Sequence, residues 1–409
     1  MSSDASLTGA PVRALLAGEL LSTLGSQMTW LALPWFVLTT SGSAQQMSLV
    51  VAAEAGGYAL FGVPSGSLVG RLGARRTMLA CDAVRAPLIA LVPAAHWTGH
   101  LGLGGLVAIT FAVGALSTPY GAAKRIVVPE LLGEDPTDIG RVNAVFQAAV
   151  RTTTLAGPAL AGVLIGVVGA PSVLVLDAFT YAIAFALVAF FVPRTDPVRT
   201  DEPAAGMLDG LRYLRRDRLL GSWTLALVAG DGAFTVIFAA LPVLVLSDYG
   251  GNPRLAGLLL GAWGAGAVIG NGAFLRFLGD ADGLRVVALG ILPQAAPLWL
   301  LVAPAPVWVG LLALLASGIA NGVVNPPAHA LLTLRPPPAV RPHVLTALFT
   351  ASTLAAPAGL LLAGPAFESH GARWVLGVAV AAQTAAAATI AVSSRRECAG
   401  RTALAGAGR

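Results

Sequence analysis

Long apolar runs alternate with short charged or Pro/Gly-punctuated breaks along the whole chain. They fall at roughly 14–39, 46–69, 77–95, 102–122, 142–168 and 171–192, and again at 219–247, 254–278, 284–302, 305–330, 342–366 and 371–393. At about 1.5 Å of rise per residue, each run is long enough to cross a hydrocarbon layer of about 30 Å as a helix. The pattern predicts an all-α membrane protein with twelve transmembrane helices in two six-helix bundles. Between the sixth and seventh runs, residues 193–218 hold the densest charge in the chain, open with Pro193, Pro197 and Pro203, and become an Arg-rich amphipathic stretch. This reads as a linker ending in an interfacial helix. The expected division is a bundle over 1–192, a linker over 193–218, a bundle over 219–393 and a tail over 394–409.

Composition removes the water-soluble alternatives. The chain is 56% hydrophobic and only 11% charged, with mean hydropathy +0.78, where a soluble chain carries about 25% charged residues. Twelve crossings take about 240 residues and leave no room for a soluble domain. The Arg residues fall in short clusters between apolar runs, not on a continuous basic face, so nucleic acid is not an expected partner. Cys81 and Cys398 are far apart, which argues against a disulfide or a Cys-based metal site. The first run is interrupted by Glu19, Ser22, Thr23 and Gln27 and followed by many more spans, so it reads as a first transmembrane helix and not a cleaved signal. Lys124 is the only lysine and follows Ala123, so there is no phosphate-binding loop; no Gly-x-Ser-x-Gly elbow or His-Glu-x-x-His pair is present either. Neither enzyme activity nor a cofactor is expected.

Charge also orients the chain. Counted over alternate connections, Arg and Lys gather on one side, from Arg13, Arg71, Arg75, Arg76, Lys124 and Arg125 through to Arg395 and Arg396, while the other side holds only Arg254 and Arg373. The positive-inside rule then places both termini in the cytoplasm, in a cell (inner) membrane. Two halves of common origin are also suggested. Gly66, Leu68, Leu72 and Gly73 after the second run match Gly272, Phe274, Leu278 and Gly279 after the eighth, and Ala156-Gly157-Pro158-Ala159 is echoed by Ala355-Ala356-Pro357-Ala358, both at about half the chain's length.

The stretch Gly66-Ser67-Leu68-Val69-Gly70-Arg71-Leu72-Gly73-Ala74-Arg75-Arg76 resembles the loop between helices two and three of the major facilitator superfamily. Gly70 stands where that family usually has Asp, and Ala74 where a basic residue is common. Thr118-Pro119-Tyr120-Gly121, Val128-Pro129-Glu130-Leu131, Arg141-Val142-Asn143-Ala144 and Arg151 leading to Gly157-Pro158-Ala159-Leu160-Ala161-Gly162 are similar to the enterobactin-exporter and macrolide-efflux branch. Asp82, Arg85 and the Leu208–Leu220 stretch add to that likeness. The resemblance implies a gate loop with Gly66, Arg71, Gly73, Arg75, Arg76, Asp82 and Arg85. Gly157, Pro158 and Gly162 resemble the family's antiport signature in helix five, and physically they make either a kinked, close-packed hinge or a bend needed for packing alone.

Ionisable groups within spans are costly, at about 2.5–3.5 kcal/mol each on insertion scales, so they should face a cavity or a partner. Glu54, Arg151, Asp177 and Asp231 are the candidates for proton coupling or the substrate cavity. Asp231, between Gly230 and Gly232 where the helix should weaken, reads as a proton or substrate-cation site or as a structural partner of Arg151 or of backbone groups. Glu54 reads as a coupling acid or a vestibule carboxylate, Asp177 as structural or coupling, and Arg151 as a counter-ion or a gate residue. Asp82 and Arg85, three apart, can pair with each other or with Arg71 and Arg75. Glu19 should reach toward the inner interface. Gln27, Gln147, Asn271, Gln294, Asn321, Asn325, Gln383, Trp30, Trp35 and Trp263 either line a cavity or serve helix contacts and belts. The glycines of the eighth run, Gly261 to Gly272, are expected to permit close helix packing.

The function these features imply is a secondary transporter, working by proton-coupled efflux of an amphiphilic small molecule such as a drug, siderophore or secondary metabolite. Alternatives are a facilitator or importer of a small metabolite, or a non-transporting membrane scaffold or receptor. The expected partners are the small-molecule substrate, a proton as coupling ion and the lipid bilayer, with the chain acting as a monomer.

Overall fold

A computed structural model of the chain describes residues 9–62, 64–132, 136–194 and 207–407, with the side chains at 64, 129, 132, 136–141, 143–145, 147–149, 151, 207–208 and 401–407 left aside. The described residues hold helices and no strand. In chain order these are α1 (Ala10–Ser41), α2 (Ala44–Leu60), α3 (Pro64–Leu72), α4 (Ala74–Trp97), α5 (Leu103–Leu132), α6 (Pro136–Val168), α7 (Ala170–Phe191), α8 (Met207–Arg216), α9 (Arg218–Asp248), α10 (Pro253–Ala273), α11 (Gly283–Ala295), α12 (Val307–Leu334) and α13 (Arg341–Ala407). A π-helical turn over Phe274–Leu278 prolongs α10, and a 3-10 segment over Ala296–Leu301 prolongs α11.

Among the described residues, eight helical segments are long and apolar enough by themselves to cross a membrane, and the α2/α3 pair counts as a ninth if taken as one bent span. The 32-residue α1 and the 33-residue α6 are also long enough to cross. Finally, α13 is two helices joined at Gly371, whose φ of 81° is a left-handed conformation that only glycine adopts without strain. The chain is thus an all-α membrane protein of twelve spans.

Three expectations about local structure need correcting. The second span is broken: α2 ends at Leu60 and α3 begins at Pro64, because proline is pre-organised for the first turn of a helix and lacks the N–H that would continue the preceding one. Gly66 therefore lies within α3 with open space around it, and the turn contracts to Gly73 alone, at φ 83° before α4. The fourth span runs to Leu132 instead of stopping at 122, which carries Lys124 into the bundle. Lastly, α9 passes unbroken through Gly230-Asp231-Gly232. Those glycines admit neighbours instead: a Cβ on Gly232 would sit 3.0 Å from the Ala355 carbonyl oxygen, and one on Gly230 would sit 3.3 Å from Gln383 Oε1. Similarly, α6 is helical through Gly157 and Pro158, and Gly157 lets Gln27 of α1 approach closely.

The helices gather into two compact units, one of Met1–Asp201 with Asn252–Gly257, the other of Glu202–Gly251 with Leu258–Arg409. In the first, α1 packs on α6 and α7, α2 on α5, and α4 on α5 and α7. In the second, α13 packs on α9, α11 and α8, and α11 packs on α12. The two units use the same device at corresponding crossings. A Cβ on Gly57 would meet the Phe111 carbonyl and one on Gly114 the Glu54 carbonyl, so α2 and α5 touch backbone to backbone. Gly266, Gly270, Gly318 and Gly322 hold α10 against α12 in the same way, facing the carbonyls of Leu315, Ile319, Trp263 and Ala267.

An ionic tie closes one end of the second unit. Asp217 caps α9, its Oδ1 accepting from the Leu219 and Leu220 amides at 3.0 Å each. Arg335, at the end of α12, donates to Asp217 Oδ2 at 2.9 Å and to Glu397 of α13 at 2.9 Å. Burial alone would raise the Asp217 carboxyl, but the Arg335 hydrogen bond, the two amides and the guanidinium charge outweigh it and hold the group below its ordinary value. A carboxyl depressed in the folded state contributes stability that is fully present above its unfolded value of about 3.9 and fades as pH falls through the folded value. Because the tie is partly open to solvent, Asp217→Asn, which keeps the cap, should cost only about 1 kcal/mol near neutral pH. That difference should shrink as unfolding is followed to pH values below the unfolded value of about 3.9.

Candidate functional site: a buried ion network and an aromatic cavity

The first unit places five of the charged residues picked from sequence, Glu19, Glu54, Asp82, Arg85 and Asp177, in one network. Asp82 and Arg85, one turn apart on α4, pair at 2.5 Å with side chains 0% and 5% exposed. The guanidinium is held between the rings of Tyr120 on α5 and Tyr181 on α7, 4.4 Å from each centroid, and Nη1 reaches Ser117 Oγ at 3.4 Å. Stacking on two rings suits arginine because its planar cation is weakly hydrated. Tyr181 in turn bonds Ser26 of α1 at 2.9 Å.

Asp177, on α7 and fully buried, accepts from Thr29 Oγ1 of α1 at 2.6 Å and from Thr180 Oγ1 at 3.1 Å. Only glycine fits at position 25 across from it, since a Cβ there would strike both Asp177 and Thr180. Half-buried Glu54 on α2 lies within electrostatic reach of Asp177 and Tyr181. On the other side of Asp82, Glu19 of α1 pairs with Lys124 of α5, and Thr23 donates to the same carboxylate at 3.1 Å. Glu19 is only 5% exposed; the longer α5 supplies its counter-ion.

The remaining gate-loop residues stand apart from this network. Arg75 donates to the carbonyls of Ala189 and Val192 at 2.7 Å each, capping the end of α7, while Arg71 and Arg76 are exposed. Arg151 belongs to α6, but its side chain, like that of Gln147, lies outside the described residues. Gln27 is used within the unit, donating to Thr154 at 3.1 Å.

In the second unit, Asp231 opens into a cavity of about 310 Å³ lined by residues of α9, α10, α11, α12 and α13. Ser352 hydrogen-bonds the Asp231 carboxylate and His329 lies within electrostatic reach. His329 Nδ1 is 3.1 Å from the Asn325 carbonyl. Phe234 and Trp263 line it with ring centroids 5.1 Å apart, and Phe238 packs against them at 4.3 and 5.3 Å. Of the polar residues singled out from sequence, Gln294, Asn321, Asn325, Gln383 and Trp263 line this cavity. Trp223, Phe234, His329 and Ser352 were missed. Helical spacing held a signal for two of them, since positions 223, 227, 230, 231 and 234 recur at i, i+4, i+7, i+8 and i+11 along one face.

Membrane-spanning helices with charged groups enclosed among them suit a transporter. The family model of the Major Facilitator Superfamily matches residues 15–360, and the chain belongs to that superfamily. It is 25% identical over 385 residues to the multidrug efflux pump Tap of Mycobacterium tuberculosis, covering 88% of both chains. It is 24% identical to Tap of Mycolicibacterium fortuitum, covering 88% of this chain and 90% of the relative. Among solved structures, the nucleoside transporter NupG superposes with a TM-score of 0.74 at 13% identity, over 94% of this chain and 98% of that one; at that identity the likeness concerns the fold. The chain is a multi-pass membrane transporter of small molecules.

Proposed function

We propose that this transporter exports an amphiphilic small molecule in exchange for protons, by alternating access of its two bundles. The observation that carries the reading is a charge imbalance. The network of the first unit holds four carboxylates, the buried Glu19, Asp82 and Asp177 and the half-buried Glu54, with two cations among the described side chains, Arg85 and Lys124. In a hydrocarbon surround an unbalanced charge is costly, and a bound proton neutralises it. Lys124 balances Glu19 and Arg85 balances Asp82, which leaves Glu54 and Asp177 as the pair to load and release a proton. Asp231 and its cavity then serve the substrate. The efflux direction rests on the likeness to Tap and on the Gly157-Pro158 element of α6. In the same reading both termini face the cytosol, the connection over 193–218 is the cytoplasmic linker between bundles 1–192 and 219–393, and the protein works as a monomer in the inner membrane.

Inverted vesicles loaded by a pH gradient test this. Ethidium accumulation should collapse with the gradient and fall about tenfold or more in both Glu54→Gln and Asp231→Asn, as expected when one required charge is lost. If neither change nor gradient collapse alters accumulation, the proton-coupled reading is wrong. Whole cells that accumulate more ethidium on expression would instead indicate an importer.

A further inference from the structure

A second cavity of the same unit lies where α9 begins and α13 approaches its end. Arg218 and Ser222 of α9 and Thr389, Val392, Ser393 and Arg396 of α13 line this open groove of about 760 Å³. The two helices pack together, and moving inward from this end the residue numbers rise along α9 and fall along α13. Both helices then present the same order of side chains. On α9, Arg218 is followed by Ser222 and then by Leu225, which is 75% exposed. On α13, Arg396 is followed by Ser393 and the exposed Val392 and Thr389. At about 1.5 Å of rise per residue, the hydroxyls lie about 5–10 Å inside the two arginine positions.

The charge at the mouth of the groove is unmatched. Arg218 and Arg396 are exposed, and neither makes an ion pair among the described residues. Glu397, the carboxylate on the lining, is already bonded to Arg335 at 2.9 Å. Arg216 and Arg395, both exposed, add to the positive field, so an anion is the species that completes this corner. A soluble anion would use only the charged tier. The hydroxyl and apolar tiers beneath it call for a ligand that continues into hydrocarbon. Ser222, Thr389 and Ser393 donate to carbonyls of their own helices at 2.9, 2.9 and 2.8 Å, yet each hydroxyl is a rotor that can turn to another acceptor.

We infer that this groove is a seat for one anionic diacyl phospholipid. Its phosphodiester lies between Arg218 and Arg396, its glycerol esters beside the three hydroxyls, and its chains along Val392 and Leu225. Charge, hydroxyl and apolar surface thus follow the order of headgroup, interface and hydrocarbon in a bilayer leaflet. The seat does not depend on the export reading and shares with it only the topology that makes this the cytosolic leaflet.

Native mass spectrometry of the purified full-length protein, released from detergent containing either phosphatidylglycerol or phosphatidylcholine, counts the lipid retained. The protein should hold one phosphatidylglycerol more tightly than phosphatidylcholine by about tenfold or more. Arg218→Gln with Arg396→Gln should abolish that preference. Arg212→Gln with Arg285→Gln removes equal charge from two exposed residues of the same unit and should leave the preference within about twofold. Val392→Trp, at a position 47% exposed, keeps both guanidiniums, fills the path of the chains and should also displace the lipid. The inference is overturned if the unaltered protein retains both lipids equally, if the control pair lowers retention as much as the site pair, or if Val392→Trp binds phosphatidylglycerol as before. Competition by glycerol phosphate as effective as that by the lipid would overturn it too, because the groove would then be a soluble-anion site. The two-lipid comparison needs no variant, so it decides even if a variant fails to fold. Neither a gradient nor a pumped substrate enters the measurement, so a failure of pumping in vesicles leaves the seat standing, and loss of the seat leaves the export reading standing.

Discussion

Arg85→Ala is expected to be among the most damaging single substitutions in the protein, lowering stability by about 3–5 kcal/mol. It leaves the Asp82 carboxylate, 0% exposed, without its partner in an apolar surround, and it also empties the space between Tyr120 and Tyr181. Thermal unfolding of the purified protein measures the loss. The double change Asp82→Leu with Arg85→Leu should recover most of it, because removing both members of a buried pair costs far less than stranding one. If the double variant is as unstable as Arg85→Ala, the loss comes from packing against the tyrosines and not from the unpaired charge.

Gly318→Leu should cost a comparable amount, about 3 kcal/mol. A side chain there presses on the Trp263 carbonyl across the α10–α12 crossing, and the opposing atom is backbone that cannot rotate away. Gly272→Ala is the matched control. Gly272 lies on α10, the other helix of that crossing, with nothing within 4 Å, so the change should stay within about 0.5 kcal/mol. Equal melting temperatures for the two variants would mean that the close crossing contributes little to stability.

The spans were legible from sequence because lipid solvation is a property of each segment by itself. A run such as 171–192 reads as a crossing whatever its neighbours do. The same local character made the polar residues of the second unit easy to nominate, since Asp231, Gln294 and Gln383 each interrupt an apolar run. Which of them meet was a different question. Glu19 and Lys124 are separated by 105 positions, and no spacing rule connects them. That pair was also hidden by ending the fourth run at 122, where Gly121 and the charges after it mark a boundary by composition although no residue stops the helix before 132. The unbroken α9 carries the converse lesson. Gly230 and Gly232 lower helix propensity by about 1 kcal/mol each, and tertiary packing against α13 overrides it.

The ion network of the first unit draws its members from α1, α2, α4, α5 and α7. Adding or withdrawing a single proton anywhere within it therefore alters the electrostatic footing of five helices at once, and none of them has a private switch. A bundle wired in this way answers a titration collectively, as a drumhead answers one tap.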